Sequence, residues 1–480
     1  MAIRNLRRVL SKQHTNPSFA NQSMMSLKKL YIISICIFEA GSLLCTAAVT
    51  SWMFILGRAV AGVGSVGLVT GSYMIVTQSF PSRTRPLWTA VVGSSQFIGI
   101  VSAPLLGGLL IDWIGWRGCF GINIPLGVIA FATVKFGFHD MGTIPDAELS
   151  WTHKLKRFDW VGTVCMMPSI CCLLLALQWG GQMFSWKDAR IIVLFFLFSL
   201  LLGVFAWRQH RSQDNATLPP RIFKMRSVLA ATWFSSCINA TLAITEYYIS
   251  IYFQGIKGFS ATHSGLLVVP MLVGIVVGNI CAGAGRAWTG YYNRKLNPAW
   301  PVKEDQRNCL TNSFLAFMIA TTVLAPVASG LLTTINLDES VVKVACLLGF
   351  LGIAVGLGIQ TPILALQTIL KAKDLPIGIA TNTFGATMGN AVWIVVSATL
   401  FQNRLVSEIA EHSPSVNATV LSHAGLSEIA ETVGSERLRD VLLGYDEAVT
   451  QTLYLPVGLA VATIFGSALM EWRSMKKKED

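Results

Sequence analysis

The sequence predicts an all-α integral membrane protein with about twelve spanning helices. Three observations carry that prediction. Hydrophobic residues make up 53% of the 480 positions and charged residues 13%, about half the charged share of a soluble domain, which is roughly 25%. Apolar runs of about 20 residues, the length that crosses a hydrocarbon core, recur along the whole chain. Lysine and arginine fall on alternate connections between those runs.

The spans are read at 30–49, 53–78, 88–111, 119–138, 160–178, 190–207, 228–252, 264–285, 315–335, 341–364, 376–401 and 449–470. A single apolar run near the N-terminus would fit a signal peptide, but a repeated series does not. Short connections such as 336–340 make neighbouring helices antiparallel. With the N-terminus in the cytosol, the inside segments hold Arg4, Arg7, Arg8, Lys28 and Lys29, then Arg83 and Arg85, then Lys154, Lys156 and Arg157. Arg208 to Arg226, Arg286 to Arg307, Lys371, Lys373 and the tail at Arg473 to Lys478 complete that face. The outside segments hold only Arg117, Lys187, Lys257, Arg404, Arg437 and Arg439. Both termini are therefore expected in the cytosol. The net charge of +12 would suggest nucleic acid on a soluble protein. Here it belongs to one membrane face, and no nucleic-acid partner is expected.

The function-bearing signals begin in the second span. GRAVAGVGSVGL, 57–68, holds a literal G-x-G-x-x-G at Gly62, Gly64 and Gly67. A dinucleotide fold needs a strand before that motif and a helix opening at it. Within a span, small residues instead let another backbone approach closely. Arg58 precedes them. A guanidinium in a span is costly, so it either faces a partner or a wet cavity, as a proton-coupling or substrate-facing charge, or snorkels to the interface. In the third span, IGIVSAPLLGG, 98–108, places Gly99, Ala103 and Gly107 at i, i+4 and i+8 on one face, followed by Gly108. Pro104 removes a backbone hydrogen bond and is expected to bend the helix. A smooth, bent face suits sliding, and equally suits ordinary helix packing.

These residues resemble a known family. Arg58 with Gly62 and Gly64 looks like the fourth-helix signature of major facilitator transporters. The segment 99–108 looks like the fifth-helix antiporter motif, with Ala103 where glycine usually precedes the proline. WRGCFGINIPLG at 116–127, YYISIYFQ at 247–254, SGLLTTI at 329–335 and GLGIQTPILALQ at 356–367 extend the likeness from about residue 30 to 470. Together they are similar to the fourteen-helix drug:proton antiporter family, especially its fungal toxin-efflux branch. The resemblance implies two six-helix bundles around a central cavity, alternating access, and export of small apolar metabolites, toxins or drugs driven by a proton gradient without another cofactor.

Two departures from the family pattern shape the expected organisation. The arginine signature and antiporter motif lie on the second and third spans, and IFEAGSLLC, 37–45, resembles the family's third helix. The first two helices are therefore expected to be missing. The resulting division is a basic cytosolic segment, 1–29; a partial N-terminal bundle of four spans, 30–138; a linker with two extra spans, 139–227; a six-helix C-terminal bundle, 228–470; and a basic cytosolic tail, 471–480. A one-sided gap beside 53–78 and 88–111 follows from that reading. The alternative is a complete twelve-helix transporter with 208–227 as its central loop. The second departure is the polar stretch 293–313, read without helical or strand period, as either a cytosolic loop or a translated intron. The stretch from Met1 to Lys12 fits a transit peptide or, more simply, a positive flank.

Glu246, Gln96 and Asn123 are the candidate cavity or proton-site residues, because polar groups within spans are expensive. Gln360, Asn382 and Asn390 fit either a polar cavity or interhelical hydrogen bonds, and Glu39 is read as structural. The outside segment 402–448 is acidic and carries the sequon Asn417-Ala418-Thr419, a glycosylation candidate. The seven histidines show no ligand spacing, so no metal site is expected, and no Walker loop suggests an ATP site. The ten cysteines include Cys36, Cys45, Cys165, Cys171, Cys172 and Cys346 within spans, read as small buried apolar side chains. No enzyme is expected on these grounds, and a receptor-like or truncated non-transporting protein remains the competing class. The plasma membrane is the expected location, with a vacuolar or vesicle membrane as the alternative.

Overall fold

The computed structural model describes residues 27–80, 84–137, 159–181, 183–212, 218–296, 305–371, 374–412 and 438–470. Among them every regular element is helical, apart from an isolated bridge between Gly180 and Phe184. Helices α1 (Leu27–Thr46), α2 (Ser51–Ser79) and α3 (Arg85–Ile114) are followed by the helical stretch α4 (Gly118–Gly137). A hairpin of α5 (Trp160–Trp179) and α6 (Ala189–Ser212) comes next, then short α7 (Pro220–Phe223). The remainder is α8 (Arg226–Ile251), α9 (Ala261–Leu296), α10 (Asp305–Leu332), α11 (Val341–Gly358), α12 (Thr361–Ile369), α13 (Leu375–His412), α14 (Leu438–Thr452) and α15 (Tyr454–Leu469). Among the described residues, eleven stretches are long and apolar enough to cross a membrane. They coincide with eleven of the expected spans, and the twelfth, 88–111, lies within the 30-residue α3. The chain is thus a multi-pass, all-α membrane protein.

Local chemistry explains the hairpin joints. Thr50 caps α2 by accepting from the Met53 amide at 3.3 Å. Asp159 caps α5, accepting from the Gly162 amide at 2.9 Å, and one such cap is worth about 1 kcal/mol. The other oxygen of Asp159 accepts from Gln209 at 2.7 Å, and Gln209 in turn accepts from the Leu218 amide at 2.9 Å. This chain of bonds ties the start of α5 to the end of α6.

Helices α8 to α15 form the packed core. Fifteen of the 26 residues of α8 are buried, flanked by α13 on one side and α15 on the other. Helices α9 and α11 meet almost backbone to backbone. A Cβ added at Gly352 would sit 2.8 Å from the Met271 carbonyl carbon, and one at Gly356 would sit 2.9 Å from the Ile275 Cα. Glycine is required at both positions for that approach.

The antiparallel helices give the molecule two distinguishable ends. At one, Arg221 donates to Asp374 through both terminal guanidinium nitrogens, at 2.8 and 3.3 Å, and Arg226 donates to the Ala468 carbonyl. We call this the arginine-rich end. At the opposite end Lys257 donates to the Leu337 and Glu339 carbonyls at 2.6 and 2.8 Å.

Three expectations need correction. The stretch 293–313 is not free of helix, because α9 continues to Leu296 and α10 begins at Asp305. Polar residues extend a helix once the apolar turns beside them have nucleated it. The segment 402–448 is likewise helical at both ends, to His412 and from Leu438. At 38 residues α13 is about 57 Å long, well beyond a hydrocarbon core of about 30 Å. Of the six cysteines read as buried, Cys45 alone is so, while Cys36, Cys171 and Cys346 are exposed. A lipid-facing surface accepts a thiol as readily as a core does, so an apolar run does not report burial.

Candidate functional site

The described residues divide into a first group, α1 to α4, and a second group, α8 to α15. The two meet at the arginine-rich end, where α3 packs against α9. Asn279 of α9 is fully buried and donates to the Ala90 carbonyl at 3.0 Å and to Ser94 Oγ at 3.2 Å. Tyr73 of α2, 2% exposed, contacts Gln360 Oε1 at 3.0 Å and Gln96 Oε1 at 3.3 Å through its hydroxyl. Gln360 sits at the break between α11 and α12 and lies against Gly93, where no Cβ would fit. These polar groups close one end of the molecule with hydrogen bonds that run between the groups. Such bonds are modest in net value, about 1 kcal/mol each, so they can be broken and remade.

Away from that junction the small-residue faces are open. Among the described residues nothing lies within 4 Å of a Cβ built at Gly62, Gly99 or Gly107. Arg58, Gly62, Gly99 and Ala103 are exposed. Arg58 stands over the Phe120 ring at 5.8 Å. No carboxylate lies within ion-pair distance of it among the described residues. Gly64 behaves differently from Gly62, two residues away. It is buried against the Phe38 backbone, and a Cβ there would sit 2.7 Å from the Phe38 Cα. Pro104 and Gly108 lie within α3, which stays helical through both.

The other sequence candidates separate. Gln96 belongs to the junction. Asn123 donates to Ser42 Oγ at 3.2 Å and fastens α4 to α1. Glu246 is half-buried on α8, and its carboxylate has no hydrogen-bond partner among the described residues. Glu39 fills the space left by Gly127 on α4. Asn417 lies outside the described residues.

One residue was placed wrongly from sequence. Arg286 reads as part of a basic connection, yet it is 1% exposed. It donates to Thr361 Oγ1 and, at 3.0 Å, to the Leu357 carbonyl, with its guanidinium carbon 4.6 Å from the centre of the Phe317 ring. The carbonyls released where α11 breaks into α12 attract this charge. A flank count cannot separate a solvated arginine from one turned into the core.

A polytopic helical protein with two groups of spans that touch at one end defines a membrane carrier. The chain belongs to the Major Facilitator Superfamily, whose family model matches residues 23–397. It is 38% identical over 452 residues to the efflux pump roqT of Penicillium rubens, covering 94% of this chain and 80% of that one. It is 36% identical over 457 residues to the MFS-type transporter astH of Aspergillus oryzae, covering 95% and 77%. Among solved structures, a bacterial homolog of the human lysosomal transporter Spinster, inward-facing and unoccupied, is similar over 93% of this chain and 83% of its own, at 12% identity and a TM-score of 0.49. The chain is a transmembrane transporter of small molecules, not an enzyme and not a receptor-like relative.

Proposed function

We propose that this transporter exports small, largely apolar metabolites, toxins or drugs in exchange for protons, by alternating access between its two helix groups. The observation that carries the reading is the asymmetry just described. Polar bonds from Tyr73, Asn279 and Gln360 join the groups at the arginine-rich end, while the face of Arg58, Gly62, Gly99 and Gly107 stays open. A carrier that rocks about such a junction exposes its interior to one side at a time. The name of the Penicillium relative, an efflux pump, supports export as the direction. With the arginine-rich end in the cytosol, as the positive-inside rule prefers, the open face belongs to the outward state of a plasma-membrane exporter.

Glu246 is the proton-carrying group in this reading. A carboxylate in a span that is not held by an ion pair is free to load and release a proton. Arg58 supplies the fixed positive charge on the open face. The test uses membrane vesicles with an imposed pH gradient and a panel of toxic apolar dyes. Export is expected to collapse when a protonophore is added, and Glu246→Gln is expected to remove the response to the gradient. Arg58→Ala is expected to abolish export at unchanged abundance, with Arg58→Lys impaired because it loses the planar fork. Export that ignores the protonophore would sink the proton-coupled reading, and full export by Arg58→Ala would reduce that residue to an interfacial anchor.

A further inference from the structure

At the end opposite the junction, α13 and α14 bring together three side chains that the transport reading does not use. Glu408 and His412 lie one turn apart on α13, and Glu447 faces them from α14. One ligand atom from each lies within 4.8 Å of the other two. The His412 Nε2 is 3.8 Å from Glu447 Oε1. Glu408 is 7% exposed, whereas His412 and Glu447 are partly open to solvent, so the cluster has a buried floor and an accessible rim.

We propose that Glu408, His412 and Glu447 form a binding site for a divalent transition-metal ion, zinc by preference, that clamps α13 to α14. The donor set is one imidazole and two carboxylates, a composition zinc uses, with bonds of about 2.0–2.2 Å. Two ligands of a tetrahedral ion at that range stand roughly 3.4 Å apart, so side-chain rotation within one rotamer well closes the cluster. Imidazole selects against magnesium and calcium, which take oxygen ligands.

The supporting shell is also present. The neutral tautomer in which His412 Nδ1 donates to the Glu408 carbonyl, at 3.0 Å, leaves the Nε2 lone pair on the side of Glu447. Metal-bound histidines are oriented in this way. Gln451, one turn beyond Glu447, donates to Glu408 Oε1 at 2.8 Å and fixes that carboxylate. Its own Oε1 is buried without a partner. Glu408 and Glu447 face each other across the cluster with their ligand oxygens within 4.8 Å. Two facing carboxylates repel unless a cation or a proton stands between them, and the adjacent imidazole nitrogen makes a metal ion the better occupant. The site ties together the two helices that bracket residues 413–437.

The experiment uses the full chain, purified in detergent, stripped with a chelator and titrated with zinc against a competing chromophoric chelator. One zinc per chain is expected for the wild type. His412→Gln and Glu447→Gln are each expected to weaken it more than tenfold, and Gln451→Ala by about tenfold, the scale of a supporting-shell loss. Glu411→Gln is expected to keep the site. Size-exclusion profiles of each variant show whether the chain has folded, and thermal unfolding with and without zinc gives a second readout. Zinc should raise the midpoint of the wild type and leave that of His412→Gln unchanged. Equal zinc uptake by the wild type and His412→Gln would overturn the proposal. So would a folded wild type that takes up no zinc.

Discussion

The first and second helix groups are built from similar sequence material and bury it differently. In α2, Gly57, Gly64 and Gly71 recur every seven residues and are all buried against α1. Arg58 and Gly62 lie four residues apart on another face, which is exposed, with Arg58 over the Phe120 ring. In the second group, Gly274, Gly278, Gly352 and Gly356 are all pressed against the facing backbone. The lesson is that a small-residue motif carries no label. It becomes a seam when a helix lies on it and an open face when none does, and a step of one or two residues, about 100–200° of rotation, separates the two within a single helix. The two arginines follow the same divide. Arg286 is enclosed and bonded in the second group, whereas Arg58 stands exposed in the first.

Substitutions can break this comparison. The largest effect is expected for Gly352→Leu, which forces a side chain into the Met271 carbonyl. Overpacking against backbone that cannot yield costs about 3 kcal/mol, and the purified protein should lose most of its thermal stability or fail to accumulate. Next comes Arg286→Leu, which strips Thr361 and the Leu357 carbonyl of a charged donor. A loss of about 2 kcal/mol is expected, read from denaturant or thermal unfolding. Arg58→Leu in the same assay should stay below about 1 kcal/mol, the worth of an exposed cation–π contact. Equal losses at the two arginines would erase the distinction between the groups.

A smaller effect sharpens the account of the junction. Tyr73→Phe removes the hydroxyl that reaches Gln360 and Gln96, at a cost of about 1 kcal/mol. That corresponds to about a fivefold rise in the open population at the arginine-rich end. Thr89 is fully buried beside Ala90, so Thr89→Cys provides a nearly isosteric reporter, and its labelling by a small polar thiol reagent should quicken by that factor. An unchanged rate would show that Asn279 alone holds the junction. The smallest effect is expected for Gly62→Ala. With open space around the new methyl and alanine the better helix former, stability should hold or rise by up to about 1 kcal/mol. A clear loss there would reveal a neighbour that covers this face.

Much of the architecture was legible in advance. Spans were readable because an apolar run of fixed length is a property of the chain alone. Gln96 stood out for the same reason, as a polar residue where polarity is costly. Gln360 stood out too, but Tyr73, which joins them, did not: it lies 287 residues from Gln360, and nothing local in either segment announces the other. Asn279 and Ser94 were missed similarly, although an asparagine within an apolar run was a usable signal. The histidines looked scattered because ligand spacing was sought along the chain, while His412 and Glu447 meet only when α13 and α14 pack.

By itself the sequence determined the class of protein, the number and positions of its helices and the motifs that mark a major facilitator transporter. The physical reason is that hydrophobic length, helix periodicity and breaking residues act over a few turns and need no partner. Only the tertiary structure decided which glycines form seams and which stay open, which arginine is enclosed, where the two groups join, and that a histidine and two glutamates come to lie side by side. Those outcomes depend on contacts at a few ångströms between segments tens to hundreds of residues apart, and the rotation of each helix about its own axis is set by the packing of its neighbours.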